Sequence, residues 1–235
     1  MLKSEKTVLP IDTVTLIFLI LEAVLFPLIQ FTSAYVSGIS SYIAIVIVAI
    51  YALFTFRDGG SGHLIRLGIL FTLVADYFLV LKEQQLEGVL AFIVVQLAYF
   101  VYLLLSEERR GVRVANVVLR IAASLVLAAA SILVLGADTD ALAIVSVIYY
   151  ANLVVNAVFA FLLGKSERIF AIGLVLFAMC DLSIGLEVLF STYLASDVLD
   201  FFYGANINLP WIFYQPSQVL IALRLYQKHR HKNRA

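Results

Sequence analysis

Long apolar runs, separated by short polar segments, repeat along the whole chain. An α-helix needs about 20 such residues to cross the hydrocarbon core of a bilayer. The pattern therefore predicts eight membrane-spanning helices. The predicted helices cover Thr13–Phe31, Ile39–Phe56, Leu64–Leu81, Gly88–Leu105, Val112–Leu135, Ala141–Leu163, Ile169–Phe190 and Leu209–Gln227.

Composition supports the same class of protein. The 235 residues are 63% hydrophobic and 14% charged, whereas a soluble domain is about a quarter charged. We therefore expect an all-α membrane protein, a single polytopic transmembrane domain over residues 1–235 that resides in the cell membrane. A single cysteine, Cys180, excludes a disulfide framework within the chain.

The charged residues are sorted between the two sides of the predicted bundle. One side carries Lys3, Lys6, Arg57, Arg66, Arg109, Arg110, Arg113, Lys165, Arg168, Arg224, Lys228, Arg230, Lys232 and Arg234. The other side carries Lys82 together with Glu83, Glu87, Asp138, Asp140, Asp197 and Asp200. Because basic segments stay in the cytoplasm, both termini are expected to be cytoplasmic.

Two apolar helices each contain one aspartate in a matching context. Asp76 follows Gly68, and Asp181 follows Gly173, at the same spacing. A carboxyl group in hydrocarbon is costly, so such residues usually face the interior of a bundle and serve a function. The two aspartates therefore indicate an acidic site between two similar halves.

The similarity of the halves extends to a second pair of helices. The segment from Phe92 to Gln96 in the fourth helix resembles the segment from Trp211 to Gln215 in the eighth. An offset of four helices keeps the same orientation, which predicts a parallel 4+4 helix repeat with approximate halves 1–110 and 111–235.

Several polar residues of these four helices reach similar depths below the outer surface. They are Asp76, Gln96, Tyr99, Asp181, Gln215 and Gln218. At 1.5 Å per residue we expect them to line one cavity that opens toward the outer half of the bundle.

The sixth predicted helix adds Tyr149, Asn152 and Asn156 on one face. Amide side chains in a bundle often serve only as hydrogen-bonding partners between helices, and for the asparagines and glutamines that structural role stays open. Arg120 in the fifth helix is expected to extend its side chain to the cytoplasmic interface.

The predicted helices lack the residues that a bis-histidine haem, a histidine-ligated zinc, a Ser-His-Asp triad or a retinal Schiff base needs. The three histidines, His63, His229 and His231, lie in predicted cytoplasmic segments, and no lysine lies in the middle of a predicted helix. No metal, cofactor or nucleic acid is therefore expected. Cys180 has no neighbouring base to activate its thiol.

Two carboxyl groups in a low-dielectric, amide-lined site suit acid–base chemistry. Burial and a like-charged neighbour both disfavour ionisation of a carboxyl group. We expect one aspartate to stay protonated while the other is ionised, which suits a reaction with a proton donor and a stabilised cation.

At this level the chain resembles the lysoplasmalogenase or YhhN-like family of eight-helix membrane proteins. The family pattern has Gly-Asp in the third helix, Phe-x-x-x-His-x-x-Tyr in the fourth, Phe-x-x-Ser-Asp in the seventh and Tyr-x-x-x-Gln in the eighth. The corresponding residues are Ala75-Asp76, Phe92 with Gln96 and Tyr99, Phe177 with Cys180 and Asp181, and Tyr214 with Gln218. Gln96 stands where the family has histidine.

The resemblance implies hydrolysis of the vinyl ether bond of lysoplasmalogens to a fatty aldehyde and a glycerophospho-alcohol. Asp76 and Asp181 are then the expected catalytic residues, and a lysophospholipid from the bilayer is the expected substrate, with membrane lipids as the surroundings. The candidate substrate-binding residues are Gln96, Tyr99, Asn152, Asn156, Cys180, Tyr214, Gln215 and Gln218.

Two other functions remain open. The acidic cavity also suits a small transporter or a lipid-binding protein, because parallel repeats with polar residues at the midplane occur in transporters. Alternatively, the aspartates pair with a basic helix of a partner in a structural subunit.

Overall fold

The computed structural model describes residues 12–55, 61–193 and 208–232, with the side chains of 137, 189–193 and 227–232 left out. Some of the charged residues that define the predicted topology lie outside this description. They are Lys3, Lys6, Arg57, Asp197, Asp200 and Arg234.

The described residues form eight long α-helices and no strand, as the sequence predicts. The helices are α1 Thr13–Phe31, α2 Ala34–Phe54, α3 Gly62–Asp76, α4 Gln85–Ser106, α5 Arg110–Leu135, α6 Ala141–Leu162, α7 Arg168–Tyr193 and α8 Leu209–Lys232. A π-helical stretch, Tyr77–Leu81, continues α3 directly after Asp76. Such π-helical stretches are frequent at functional sites.

Local side-chain chemistry sets two of the helix starts. Asp12 accepts a hydrogen bond from the Thr15 amide at 2.8 Å at the start of α1, and Asp140 does the same for Ala143 in α6. α2 begins at Ala34, earlier than predicted, because the serines of its first turns are buried in the bundle. Ser37 Oγ donates to the Ile29 carbonyl oxygen at 2.7 Å.

Neighbouring helices pack as antiparallel pairs, α1 with α2, α3 with α4, α5 with α6, and α7 with α8. The pairs are joined by contacts of α4 with α6 and of α2 with α8. In a 4+4 repeat, α4 corresponds to α8 and α6 corresponds to α2, so these two contacts correspond to each other. The repeat itself stays a prediction. α5 packs mainly on α6 and exposes apolar side chains such as Leu125 and Leu133.

Seven helices of the described chain are long and apolar enough to cross a membrane. α8 is the exception, because Gln215, Gln218 and Arg224 lower its hydropathy. All three side chains are buried against other helices. Hydropathy alone therefore underestimates α8, whose polar residues point into the bundle.

We predict that both termini are cytoplasmic. A cysteine at Ser106, on a background in which Cys180 is replaced, is expected to react with an impermeant thiol reagent only after the cells are opened. A cysteine at Asp138 is the control and is expected to react in intact cells. Labelling of position 106 from outside intact cells contradicts the predicted topology.

Candidate functional site

Asp76 forms a buried hydrogen bond with Tyr214. The aspartate is the last residue of α3 and has 3% of its surface exposed. Tyr214 of α8 donates its hydroxyl to Asp76 Oδ2 at 2.6 Å. A donor at this distance satisfies one oxygen of a buried carboxyl group.

Asp181 has the same kind of partner on other helices. Tyr149 of α6 donates its hydroxyl to Asp181 Oδ2 at 2.6 Å. Tyr149 is buried, whereas Asp181 is only partly buried. Of the two carboxyl groups, Asp181 therefore has the easier access from outside the bundle.

Four aromatic rings join the two aspartate–tyrosine pairs. Phe92 stacks on Tyr149 with the ring centroids 5.6 Å apart, and it meets Tyr214 edge-on at 6.4 Å. Phe177 lies 5.3 Å from both Phe92 and Tyr214. We call these four rings with Asp76 and Asp181 the aspartate cluster.

Asp76 and Asp181 are connected through the rings of Tyr214, Phe92 and Tyr149. Cys180, which precedes Asp181 in the chain, is buried. Two acids, two phenolic hydroxyls and apolar rings are thus linked in one cluster.

Gln96 belongs to a different polar cluster. Asn156 Nδ2 donates to Gln96 Oε1 at 2.9 Å. Arg120 in turn donates to Asn156 Oδ1 at 2.7 Å and to Asn152 Oδ1 at 2.6 Å. We call Gln96, Asn116, Arg120, Asn152 and Asn156 the arginine cluster; Asn116 accepts from Arg120 Nη2 at 3.2 Å.

The expectation that Arg120 extends to the interface is wrong. Its side chain is 7% exposed and points into the bundle. The polar stripes of α5 and α6 face each other, so the guanidinium finds amide oxygens as partners without leaving the membrane interior.

The remaining amides do not contact the aspartates through hydrogen bonds in the described chain. Gln215 Nε2 donates to the carboxylate of Glu22 in α1 at 2.8 Å. Gln218 Nε2 donates to the neighbouring Ser217 hydroxyl at 3.2 Å. Tyr99 is fully buried and packs edge-on against Phe170. The predicted polar set is thus divided among separate clusters.

The sequence analysis did not predict a further polar group at the end of the bundle where the basic residues lie. Arg224 of α8 makes a two-pronged ion pair with Glu167, and both residues are buried. Tyr102 of α4 donates to the same carboxylate at 2.8 Å. The signal was available, because Glu167 is an acid beside basic residues on the side that the charges mark as cytoplasmic.

The two glycines that precede the aspartates allow close helix packing. A Cβ atom on Gly173 lies 3.1 Å from the Ser217 carbonyl oxygen and 2.8 Å from Ile221 Cγ1 of α8. A Cβ atom on Gly68 lies 2.2 Å from Cε1 of the Tyr99 ring. Both positions exclude a larger side chain unless a neighbour moves.

We expect Gly68→Ala to destabilise the protein by about 1–3 kcal/mol, since the buried Tyr99 ring has to shift. Gly185→Ala in α7 is the control, because nothing lies within 4 Å of its added Cβ atom. Thermal unfolding of both variants in detergent tests this. Equal midpoints for the two variants contradict the packing role of Gly68.

Within the described residues, no group of three or more histidine, cysteine, aspartate or glutamate side chains is placed to hold a metal ion.

These features define a helical bundle suited to a membrane, with a pair of acids in its interior. The chain belongs to the YhhN family, whose model matches residues 36–225. The match includes the aspartate cluster and the arginine cluster. It begins after the end of α1, so Glu22 lies outside it. No curated protein and no solved structure matches the chain.

Proposed function

We propose that this protein is a membrane hydrolase that cleaves the vinyl ether bond of lysoplasmalogens. Membership of the YhhN family supports this assignment. The single observation that carries it is the aspartate cluster, in which two carboxyl groups are each held by a tyrosine hydroxyl and are joined by aromatic rings.

The reaction needs a proton donor and a base. A protonated aspartate delivers its proton to the alkenyl carbon that lies farther from the ether oxygen, which leaves an oxocarbenium ion. Water adds to that cation and loses a proton to the ionised aspartate, giving a hemiacetal. The hemiacetal then separates into a fatty aldehyde and the alcohol of the glycerophospho head group.

We assign the roles of the two carboxyl groups by their exposure at the surface of the bundle. Asp181 is the more accessible of the pair and is proposed as the base that activates water. Asp76, which is more deeply buried, is proposed as the proton donor. Tyr149 and Tyr214 hold the two carboxyl groups in place through their hydroxyls.

The rings of the cluster also suit the cationic intermediate. Phe92 and Phe177 lie between the two acid–tyrosine pairs. An aromatic face attracts a nearby cation, more strongly where water is excluded. The cluster therefore offers a negative carboxylate and apolar rings to the same developing charge.

Release of fatty aldehyde tests the proposal. Purified protein in detergent is incubated with a lysoplasmalogen and the aldehyde is measured by mass spectrometry. A lysophospholipid with a saturated ether chain is the control and is expected to give no product. Absence of aldehyde under conditions where the protein is folded contradicts the proposal.

Replacing Gln96 with histidine is expected to preserve or raise this activity, because histidine is the residue of the family pattern. A neutral imidazole nitrogen can accept the hydrogen bond that Asn156 donates to Gln96. Rates of aldehyde release by the Gln96→His variant and the original chain are compared. A fall to background with folding intact indicates a site rebuilt for another ligand.

A non-enzymatic lipid-binding protein or small transporter is the second candidate. Gln96 favours it, because a glutamine side chain does not ionise at neutral pH and therefore cannot transfer a proton as histidine does. The aldehyde measurement distinguishes the two proposals, because a binding protein retains the vinyl ether lipid without cleaving it. We also propose a multi-pass location in the cell membrane for either function.

A further inference from the structure

Arg120 carries a charge deep inside the bundle. It lies about 15 Å along α5 from the first residue, Arg110, at 1.5 Å per residue. Its guanidinium donates hydrogen bonds to amide oxygens of Asn116, Asn152 and Asn156. These acceptors are neutral, so they orient the guanidinium without balancing its charge.

No carboxylate balances Arg120 within the described chain, where the ion pairs are Arg109–Glu107 and Arg224–Glu167. The guanidinium rests on the Phe100 ring, with Cζ 4.1 Å from the ring centroid. Charges inside a membrane protein are normally paired. An anion is therefore the component that this cluster lacks.

Two donors at the cluster are also without an acceptor. Arg120 Nε and Gln96 Nε2 are buried and make no hydrogen bond in the described chain. A buried donor without a partner costs about 1–3 kcal/mol. Both donors suit the oxygens of a phosphate group, which accepts several hydrogen bonds at once.

A cleft leads from the cytoplasmic end of the bundle toward this cluster. It is narrow and lies between α4, α5 and α6. Its lining includes Arg113 and Asn116, and Asn116 also accepts a hydrogen bond from Arg120. Arg113, Asn116 and Arg120 lie on one face of α5.

The mouth of the cleft does not oppose an anion strongly. Glu107 lines it, but Arg109 makes two hydrogen bonds to the Glu107 carboxylate, at 2.9 and 2.8 Å. These bonds lower the pKa of Glu107 to about 2, so it remains ionised and paired with Arg109. Arg113, which also lines the cleft, makes no ion pair in the described chain, so it adds a positive charge there.

One face of α6 connects the two clusters. Tyr149 holds Asp181, while Asn152 and Asn156, about 4.5 and 10.5 Å farther along the helix axis, hold Arg120. In a lysophospholipid, a glycerol backbone separates the ether bond from the phosphate by roughly 6–8 Å, from single bonds near 1.5 Å. The two spacings are compatible.

We propose that Arg120, together with the Gln96 amide, binds the phosphate of a lysophospholipid that enters from the cytoplasmic side through this cleft. Binding there places the ether bond beside the aspartate cluster. This inference rests on the proposed function, and it assigns the head-group site and the direction of entry for the same substrate. Arg120 is a substrate-binding residue in this scheme.

Binding of uncleavable ligands tests the proposal independently of hydrolysis. A tritiated lysophospholipid with a saturated ether chain is compared with the matching alkylglycerol, which lacks the phosphate, on purified full-length protein in detergent. We expect the unaltered protein to bind the phosphate-bearing ligand at least tenfold more tightly. Arg120→Gln is expected to remove that preference and leave alkylglycerol binding unchanged.

The exposed Arg168 supplies a control for charge, and Arg168→Gln is expected to keep the preference. Because Arg120→Gln also alters contacts with three asparagines, Asn152→Asp provides a second variant. It keeps the acceptor for Arg120 Nη1 and adds an internal counter-charge. We expect it to fold and to bind the phosphate-bearing ligand at least tenfold more weakly.

The proposal is overturned if the unaltered protein shows no phosphate preference, or if either variant folds and keeps it. Equal loss of both ligands in Arg120→Gln assigns a structural role to Arg120 and also overturns it. Inorganic phosphate that competes at the concentration of the lipid contradicts the assignment to a lipid. A phosphate preference without vinyl ether cleavage supports this site while contradicting the hydrolase.

Discussion

Asp76→Asn and Asp181→Asn are each expected to reduce vinyl ether hydrolysis by about 10²–10⁴-fold, the usual contribution of general acid or base catalysis. Asparagine has nearly the shape of aspartate, and its oxygen still accepts the hydrogen bond of Tyr214 or Tyr149. The substitution therefore removes the proton donor or the negative charge while the packing is retained. Initial rates of aldehyde release measure the effect.

Glu22→Gln is the matched control for these variants. Glu22 is also a buried carboxyl group inside the bundle, but its partner is Gln215 and it lies outside the aspartate cluster. We expect its turnover to stay within a few-fold of the original rate. If an aspartate variant keeps more than about a tenth of that rate, the aspartate that it replaces is not the catalytic acid or base, because such a residue contributes far more.

The sequence predicted the helices well because length and hydropathy are local properties. α1 begins and ends where the apolar run does, at Thr13 and Phe31. α2 starts before its predicted residue because Ser37 and Gly38, which interrupt the apolar pattern, belong to its first turns, where Ser37 is buried in the bundle. α8 shows the same effect more strongly, since its polar side chains are covered by the bundle.

The contacts of the polar residues were harder to predict, because they depend on how each helix is rotated. Tyr214 and Gln215 are adjacent in α8, so their side chains point in different directions. Tyr214 reaches Asp76, whereas Gln215 reaches Glu22 on α1. Depth along the axis placed Gln215 level with the aspartates but did not show which face of α8 carries it.

Arg120 illustrates the same limitation for a charged residue. From hydropathy alone, an arginine near a helix end is predicted to extend its charged group to the membrane interface. The facing stripes, with Asn116 on α5 and Asn152 and Asn156 on α6, make the interior position possible. Matching polar stripes on two neighbouring helices are the sequence signal for such a buried arginine.

Glu167→Gln is expected to destabilise the protein by about 3–5 kcal/mol, the usual effect of removing one partner from a buried ion pair. The amide still accepts one hydrogen bond, but the guanidinium of Arg224 loses its counter-charge at a site with little exposure. Tyr102 also loses a charged acceptor. The change loosens α4, α7 and α8 from one another, and thermal unfolding in detergent measures it.

Glu107→Gln is the matched control, since its partner Arg109 has 62% of its side chain exposed to solvent. Solvent around Arg109 weakens this pair, so we expect a much smaller shift in its unfolding midpoint. The double variant Glu167→Leu with Arg224→Leu is expected to be more stable than Glu167→Gln alone, because it leaves no unpaired charge buried. If Glu167→Gln unfolds at the same temperature as Glu107→Gln, the Glu167–Arg224 pair does not stabilise the cytoplasmic end of the bundle.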